Sequence, residues 1–154
     1  MTLHFAYGSN MHAGLMAQRC RTAKAIGVGR LPGWRFVVTA DGYASIVPAR
    51  AAMVHGVLWR LEARDLAALN AYEDIDKGLY RSETLWVIWR GRRVRSLVYI
   101  AREAPQGRPK PGYQELIVEA ARDWRLPDAY VRELEGWARS STRGARTADA
   151  RDIL

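Results

Sequence analysis

The stretch LHFAYGSNM, residues 3–11, joins an alternating apolar run to a turn and then to a helical pattern. Its first half alternates, with Leu3, Phe5 and Tyr7 on one face, which predicts a short β-strand. The alternation stops at three small or polar residues of the kind that form turns. The chain is therefore predicted to open with a strand, a tight turn and a helix.

The turn itself is the first candidate site. Helical spacing runs from Met11 to about Cys20, with Ser9 or Asn10 as the expected cap. Gly8 would let a ligand approach the backbone closely. Backbone N–H groups at such a strand–helix junction suit a carboxylate or a developing oxyanion. An ordinary strand–turn–helix junction with a simple cap is the alternative reading of the same residues.

The rest of the chain has further strand patterns. A hairpin is indicated by two apolar runs that flank the turn RGRR, residues 90–93. Gly56 falls inside one strand pattern, which indicates a bulge or a close backbone approach. The predicted strands are two short runs within 25–40, separated by Pro32-Gly33, then 44–48, 53–61, 79–89 and 94–101.

Helical spacing recurs at 62–73, about 112–124 and about 127–139, with Pro127 suited to the first helical position. From residue 140 the chain is small and polar, and we expect a flexible tail over 140–154 after a single domain spanning 1–139. The predicted class is α+β: a small mixed β-barrel, or a strongly curled sheet, of about six strands with helices packed at its ends.

Composition limits the classes of function. The net charge of the 154-residue chain is +8, from 21 Arg and 3 Lys against 16 acidic residues, and it could attract nucleic acid, an anionic membrane or acidic small molecules. Arginines scattered in this way are more typical of a solvated surface. No apolar run approaches the roughly 20 residues of a membrane span, and we expect a cytoplasmic protein. Cys20 is the only cysteine, which excludes an intrachain disulfide.

A carboxylate stands out in the helix predicted at 62–73. Glu73 continues the inward row of Leu66 and Leu69, where a charge is costly unless it is paired or has a chemical role. Burial, the negative end of the helix dipole and the nearby acids Asp74 and Asp76 should raise its pKa. That direction suits a general base near neutral pH. A solvent-facing glutamate at a frayed helix end is the alternative.

No metal or cofactor is expected. His4, His12 and His55 lack ligand-like spacing, and the acidic run from Glu73 to Asp76 lacks the later glutamate of an EF-hand loop. No phosphate-binding glycine motif is present either.

Three segments in this order resemble the γ-glutamylcyclotransferase family. They are FAYGSNM, VHGVLWRL and LNAYEDIDKGLYRSE, and the resemblance runs from about Leu3 to Ala138. It implies that Glu73 is the catalytic base, that Tyr7, Gly8, Ser9 and Asn10 bind substrate, and, from PKPGYQELI, that Tyr113 lines the pocket. The chain departs from the family at Asn70, where relatives commonly have Asp, and at Asp74, where they commonly have Gly.

The implied activity is cofactor-free release of 5-oxoproline from a small γ-glutamyl compound, with an amino acid or amine as the leaving group. Within the resemblance, the loop DIDKGLY is longer than in the shortest relatives and looks more like the branch that acts on γ-glutamyl dipeptides. Glutathione is disfavoured because the glutathione-specific relatives carry a different N-terminal tetrad. Two alternatives remain: a non-catalytic binding module of the same fold, and a basic small barrel that binds single-stranded nucleic acid. No nucleic-acid or membrane partner is expected under the first reading, and the sequence leaves the leaving group and the oligomeric state open.

Overall fold

The computed structural model describes residues 1–73, 78–102 and 105–147, with side chains through Arg139. The strands are β1 (Thr2–Ala6), β2 (Lys24–Val38), β3 (Ala44–Leu61), β4 (Tyr80–Trp89) and β5 (Arg92–Ala101). The helices are a single 3₁₀ turn (Ser9–Met11), α1 (Ala13–Arg19), α2 (Ala63–Tyr72), α3 (Tyr113–Asp123) and α4 (Asp128–Thr147).

The described strands close into a barrel in the order β1-β3-β2-β4-β5. Four of the neighbouring pairs are antiparallel, and the barrel closes through a parallel contact between β1 and β5, at His4 and Leu97. Closure removes the unpaired edges that an open sheet would expose. The predicted α+β class with a small mixed barrel is confirmed, with five described strands in place of about six.

The strand count falls because the short predicted strands merge. The runs on either side of Pro32-Gly33 form one strand, β2, and the runs at 44–48 and 53–61 form one strand, β3. Pro32 and Gly33 do not end β2, because the pairing with β3 shifts register between Pro32 and Trp34 and then resumes. Such irregularities bend a strand and increase its twist, which lets long strands wrap around a small barrel.

Gly56 marks the closest approach between β3 and β1. A Cβ at this position would lie 2.3 Å from the carbonyl oxygen of Ala6 and 2.8 Å from the ring of Phe5. Phe5 is itself fully buried in the core. The predicted close backbone approach is therefore confirmed, and it sets the end of β1 directly against β3.

The predicted hairpin is confirmed as β4 and β5, which pair along their whole length. Its turn is Arg90-Gly91, with φ of 49° and 73°. Two residues with positive φ are the hallmark of the tight turn that matches the twist of antiparallel strands.

The expected cap of the first helix is wrong. Ser9 and Asn10 lie inside the 3₁₀ turn, and α1 begins later, at Ala13. His12 is the N-cap, because its Nδ1 accepts a hydrogen bond from the backbone N–H of Leu15 at 3.3 Å. The extra helical turn frees the side chains of Ser9 and Asn10 for other contacts.

The later helices follow the predicted pattern with small shifts. Pro127 precedes α4 rather than opening it, and its carbonyl accepts from the N–H of Val131 at 3.0 Å. The backbone of α4 continues past Arg139 to Thr147, and the rest of the expected tail lies outside the described residues. In the described ranges, none of the helices combines the length and the apolar character needed to cross a bilayer.

Candidate active site

A pocket of about 240 Å³ opens where β1 ends and the 3₁₀ turn begins. Six of the seven tyrosines of the chain contribute to its wall. The lining residues are His4, Phe5, Ala6, Tyr7, Gly8, Ser9, Asn10, Tyr43, Ala44, Tyr72, Glu73, Leu79, Tyr80, Tyr99 and Tyr113. Every site residue predicted from the sequence is thus in this wall.

Among the described residues, Glu73 is the carboxylate that lines this pocket. It caps the C-terminus of α2, where its backbone N–H donates to the carbonyl of Leu69 at 2.9 Å. Its side chain is partly buried, and its Oε1 accepts a hydrogen bond from Asn10 Nδ2 at 3.2 Å. Glu73, the base predicted from helical spacing, is therefore hydrogen-bonded to Asn10, which belongs to the turn predicted after the first strand. The predicted rise in its pKa stays a prediction.

The four residues of the turn have different surroundings. The hydroxyl of Tyr7 is buried and donates to the backbone carbonyl of Tyr99, so its ring forms a fixed wall. A Cβ at Gly8 would come within 3.2 Å of Ala44 Cβ and 3.5 Å of Tyr113 Oη, and would narrow the pocket. Ser9 and Asn10 begin the 3₁₀ turn, where the first N–H groups have no partner within the helix.

Two further tyrosines are anchored to β3 at Ala44. The backbone N–H of Ala44 donates to Tyr113 Oη at 3.1 Å, and its carbonyl accepts from Tyr80 Oη at 2.9 Å. Because Tyr113 accepts this hydrogen bond, its own proton can be donated into the pocket. Tyr113 thus lies in the pocket wall, and its role in binding substrate stays a prediction.

Four of the tyrosine hydroxyls in the pocket, those of Tyr7, Tyr80, Tyr99 and Tyr113, stay protonated at neutral pH. Burial raises the pKa of Tyr113 to about 12, against a smaller opposing effect of the Ala44 hydrogen bond. Burial also raises the pKa of Tyr7, Tyr80 and Tyr99. The charge of Glu73 contributes to the rise in all four, which means that each hydroxyl lies within electrostatic reach of that carboxylate. In the described part of its wall, the pocket therefore combines the Glu73 carboxylate with neutral tyrosine hydroxyls. Those of Tyr7, Tyr80 and Tyr99 already donate to acceptors of the protein.

His4 lines the same pocket from β1. Its Nδ1 lies 3.0 Å from the carbonyl oxygen of Leu97, which assigns the proton to that nitrogen and leaves Nε2 as an acceptor. Within the described residues Nε2 has no hydrogen-bond partner. Burial lowers the pKa of His4 to about 4, so the ring is neutral at physiological pH.

Sequence reasoning missed Arg19 and most of the tyrosines. Arg19 donates to Ser9 Oγ at 3.0 Å and to Asn10 Oδ1, and its guanidinium stacks on the Tyr72 ring at 3.7 Å. Tyr99 donates to Asn70 Oδ1. No sequence spacing signals these contacts, because they join residues 9 to 53 positions apart that only the folded chain brings together.

The other residues considered from the sequence are Cys20, Asp74 and Asp76. Cys20 is buried, and burial raises the pKa of its thiol to about 11, consistent with an apolar core role. Asp74 and Asp76, with most of the DIDKGLY loop, lie outside the described residues. Across the described ranges, His, Cys, Asp and Glu side chains form no group of three or more that could hold a metal ion.

A closed barrel of five described strands, with a tyrosine-lined pocket that holds Glu73, defines the class of this protein. The model of the AIG2-like family matches residues 53–134, slightly more than half of the chain. The chain belongs to the AIG2-like family, and its resemblance to the γ-glutamylcyclotransferases is confirmed at the level of family and fold.

The relatives include two curated proteins. The gamma-glutamylcyclotransferases of Mus musculus and Homo sapiens are each 24% identical over 163 residues, which cover 99% of this chain and 87% of the relative. A solved structure described as a gamma-glutamyl cyclotransferase superposes with a TM-score of 0.82 at 24% identity, over 87% of this chain and 86% of its own. At this identity the structural match establishes the shared fold.

Proposed function

We propose that this protein is a γ-glutamylcyclotransferase-type enzyme that converts a γ-glutamyl amino acid or γ-glutamyl amine to 5-oxoproline and the free amino acid or amine. The observation that carries the proposal is the 3.2 Å hydrogen bond that holds Glu73 against Asn10 inside the tyrosine-lined pocket. The curated relatives of similar length are named for this activity.

Glu73 is the general base in this proposal. The α-ammonium group of the substrate cannot attack until it loses a proton, and the carboxylate accepts that proton. The α-nitrogen then forms a bond to the γ-carbonyl carbon, and the bond from that carbon to the leaving nitrogen breaks. Glu73 passes this proton to the leaving nitrogen, and the second proton that the α-nitrogen loses as the lactam forms follows by the same carboxylate. The amine or amino acid therefore leaves with a protonated amino group, and Glu73 ends in its original state.

The pocket supplies conformation rather than a nucleophile, because the nucleophile belongs to the substrate. Its volume, about 240 Å³, is below the range of drug-sized sites and suits a small metabolite. Walls fixed by buried tyrosines can hold the substrate folded, with the amine near the γ-carbonyl, and proximity of this kind lowers the barrier by several kcal/mol.

The charge that develops on the substrate needs hydrogen-bond donors. In this proposal the backbone N–H groups of Ser9 and Asn10, at the start of the 3₁₀ turn, and the hydroxyl of Tyr113 bind the carbonyl oxygen or the α-carboxylate of the substrate. Donors fixed before the reaction stabilise a developing oxyanion with little reorganisation. We assign substrate binding to Tyr7, Gly8, Ser9, Asn10 and Tyr113.

A direct assay tests this function. Purified protein is incubated with a panel of γ-glutamyl amino acids and γ-glutamyl amines, and 5-oxoproline is measured by mass spectrometry. The Glu73→Gln protein serves as the inactive control. Release by the wild type but not by the variant is expected; no release from any member of the panel would favour a non-catalytic binding module of the same fold.

One observation favours a second candidate, a surface for single-stranded nucleic acid. Trp86 is 49% exposed on β4, with the guanidinium groups of Arg93 and Arg95 at 4.8 and 5.8 Å from its ring. Exposed aromatic rings beside arginines can stack on bases and bind phosphates. A gel-shift titration of a single-stranded oligonucleotide at two salt concentrations, with Trp86→Ala as control, tests this second function. An affinity that does not change with salt concentration would contradict it.

A further inference from the structure

We infer that Arg19 is a positioning residue for the proposed base: its guanidinium fixes the side-chain amide of Asn10 so that the nitrogen faces Glu73. This inference rests on the proposed function and concerns a residue outside the pocket wall. Arg19 lies at the end of α1, and its side chain is partly buried.

The orientation of the Asn10 amide follows from the chemistry of its two neighbours. A guanidinium can only donate hydrogen bonds, and an ionised carboxylate can only accept them. Arg19 lies on one side of the amide and Glu73 on the other. With the amide oxygen towards Arg19 and the amide nitrogen towards Glu73, both contacts are favourable. In the flipped amide, the NH2 group would face the guanidinium donors and the oxygen would face the carboxylate acceptor, so only the first orientation is favourable.

Arg19 is itself held at several points. Its guanidinium donates to Ser9 Oγ at 3.0 Å and to Tyr72 Oη, and it stacks on the ring of Tyr72 at 3.7 Å. A planar fork of donors suits such a multiple contact, whereas an ammonium group is a single point charge. Because Tyr72 ends α2 immediately before Glu73, Arg19 also ties the helix that carries the base to the turn that faces it.

The consequence for catalysis is a fixed carboxylate. A general base must sit within hydrogen-bond reach of the proton that it removes. Without Arg19 the Asn10 amide can rotate, and the Glu73 carboxylate loses a defined partner in the pocket. Misplacement by about 1 Å can cost a rate of order 10²-fold. Arg19 does not itself line the pocket and acts on substrate binding only through Ser9 and Asn10, so its loss should lower kcat by more than it raises KM.

The kinetic test compares Arg19→Met, Arg19→Lys, Asn10→Ala and the double variant Arg19→Met/Asn10→Ala, with 5-oxoproline release as the readout. Arg19→Met should reduce kcat roughly 10- to 100-fold, with a smaller rise in KM, and Arg19→Lys should restore part of the rate. If Arg19 acts through Asn10, the double variant should be no slower than the slower single variant, within about threefold. Arg21→Met, an exposed arginine two residues away, is the matched control for the lost charge.

Losses that multiply in the double variant, or a raised KM with unchanged kcat, would overturn the positioning role. A second measurement does not depend on activity: the side-chain amide signals of Asn10 in NMR spectra should move in Arg19→Met and not in Arg21→Met. Unmoved signals would overturn the inference even in an active enzyme. If the wild-type protein releases no 5-oxoproline, the proposed function is refuted, and with it the role of Arg19 in positioning a base. Asn10 signals that move in Arg19→Met would in that case show only that the contact between Arg19 and Asn10 exists.

Discussion

Asn10 donates a 3.2 Å hydrogen bond from Nδ2 to Oε1 of Glu73, across 63 positions of sequence. Asn10 belongs to the turn that follows the first strand, and Glu73 is the C-cap of the helix that follows the third strand. The two candidate sites found separately in the sequence are therefore one site in the fold.

Glu73→Gln should lower kcat for 5-oxoproline release by roughly 10²–10⁴-fold, the usual effect of losing a general base. The amide keeps the shape of the side chain but cannot take up a proton, so folding should be preserved. Steady-state kinetics and circular dichroism check the two parts. Glu133→Gln, an exposed glutamate on α4, is the control and should retain wild-type rates. Full activity of Glu73→Gln would contradict the assignment of Glu73 as the general base.

Asn70 tests one departure from the family pattern. Tyr99 donates its hydroxyl proton to Asn70 Oδ1, and an aspartate oxygen could accept the same bond. We expect Asn70→Asp to keep activity within a few fold, and Asn70→Ala to lower it by roughly tenfold because a partly buried hydroxyl loses its partner. If Asn70→Asp and Asn70→Ala lower kcat/KM equally, then the oxygen that asparagine and aspartate share does not explain the effect of residue 70 on activity. Tyr99→Phe should reproduce the effect of Asn70→Ala.

His4 should make stability depend on pH. Its pKa is lowered from 6.5 to about 4 by burial, so the unfolded chain takes up a proton at a higher pH than the folded protein does. The contribution of neutral His4 to the free energy of unfolding is fully present above pH 6.5. It is lost as the pH falls towards 4, and the free energy of unfolding then decreases by about 3 kcal/mol at most. Urea unfolding at several pH values measures it, and His4→Gln should flatten the slope in this window. An NMR titration of the His4 ring with a pKa near 6.5 would contradict the prediction.

Asp65 should stabilise the start of α2. It is 2% exposed, and its carboxylate accepts hydrogen bonds from the N–H of Glu62 at 3.0 Å, the N–H of Thr22 at 3.1 Å and the hydroxyl of Thr22 at 2.6 Å. Burial alone would raise its pKa, but these hydrogen bonds lower it overall.

Asp65→Asn should therefore cost about 1–2 kcal/mol at pH 7, through loss of charge-assisted caps. Because the folded pKa is below the ordinary value, this stability is present above about pH 4 and disappears as the pH falls through the lowered pKa. Thermal unfolding at pH 7 and pH 3 measures the change. Asp123→Asn, exposed at the end of α3, is the control, and an Asp65→Asn protein as stable as this control at pH 7 would refute the role.

Local pattern in the sequence determined the class of the protein and its two main candidates. Alternation predicted β1 and the β4–β5 hairpin, and helical spacing predicted Glu73 on the inward row of a helix at 62–73, although α2 ends one residue earlier, at Tyr72. The tetrad from Tyr7 to Asn10 was recognised because turn-forming residues follow a strand. Each of these signals depends on neighbours within a few positions, where propensity and periodicity act.

Tertiary structure alone decided how these pieces join. The parallel contact between β1 and β5 and the merging of short runs into β2 and β3 depend on register between distant segments. The same is true of Arg19 against Asn10 and of the tyrosine wall, whose members come from six separate places in the chain. Such contacts leave no local periodicity, because each side chain meets its partner only when barrel closure brings the two backbones together.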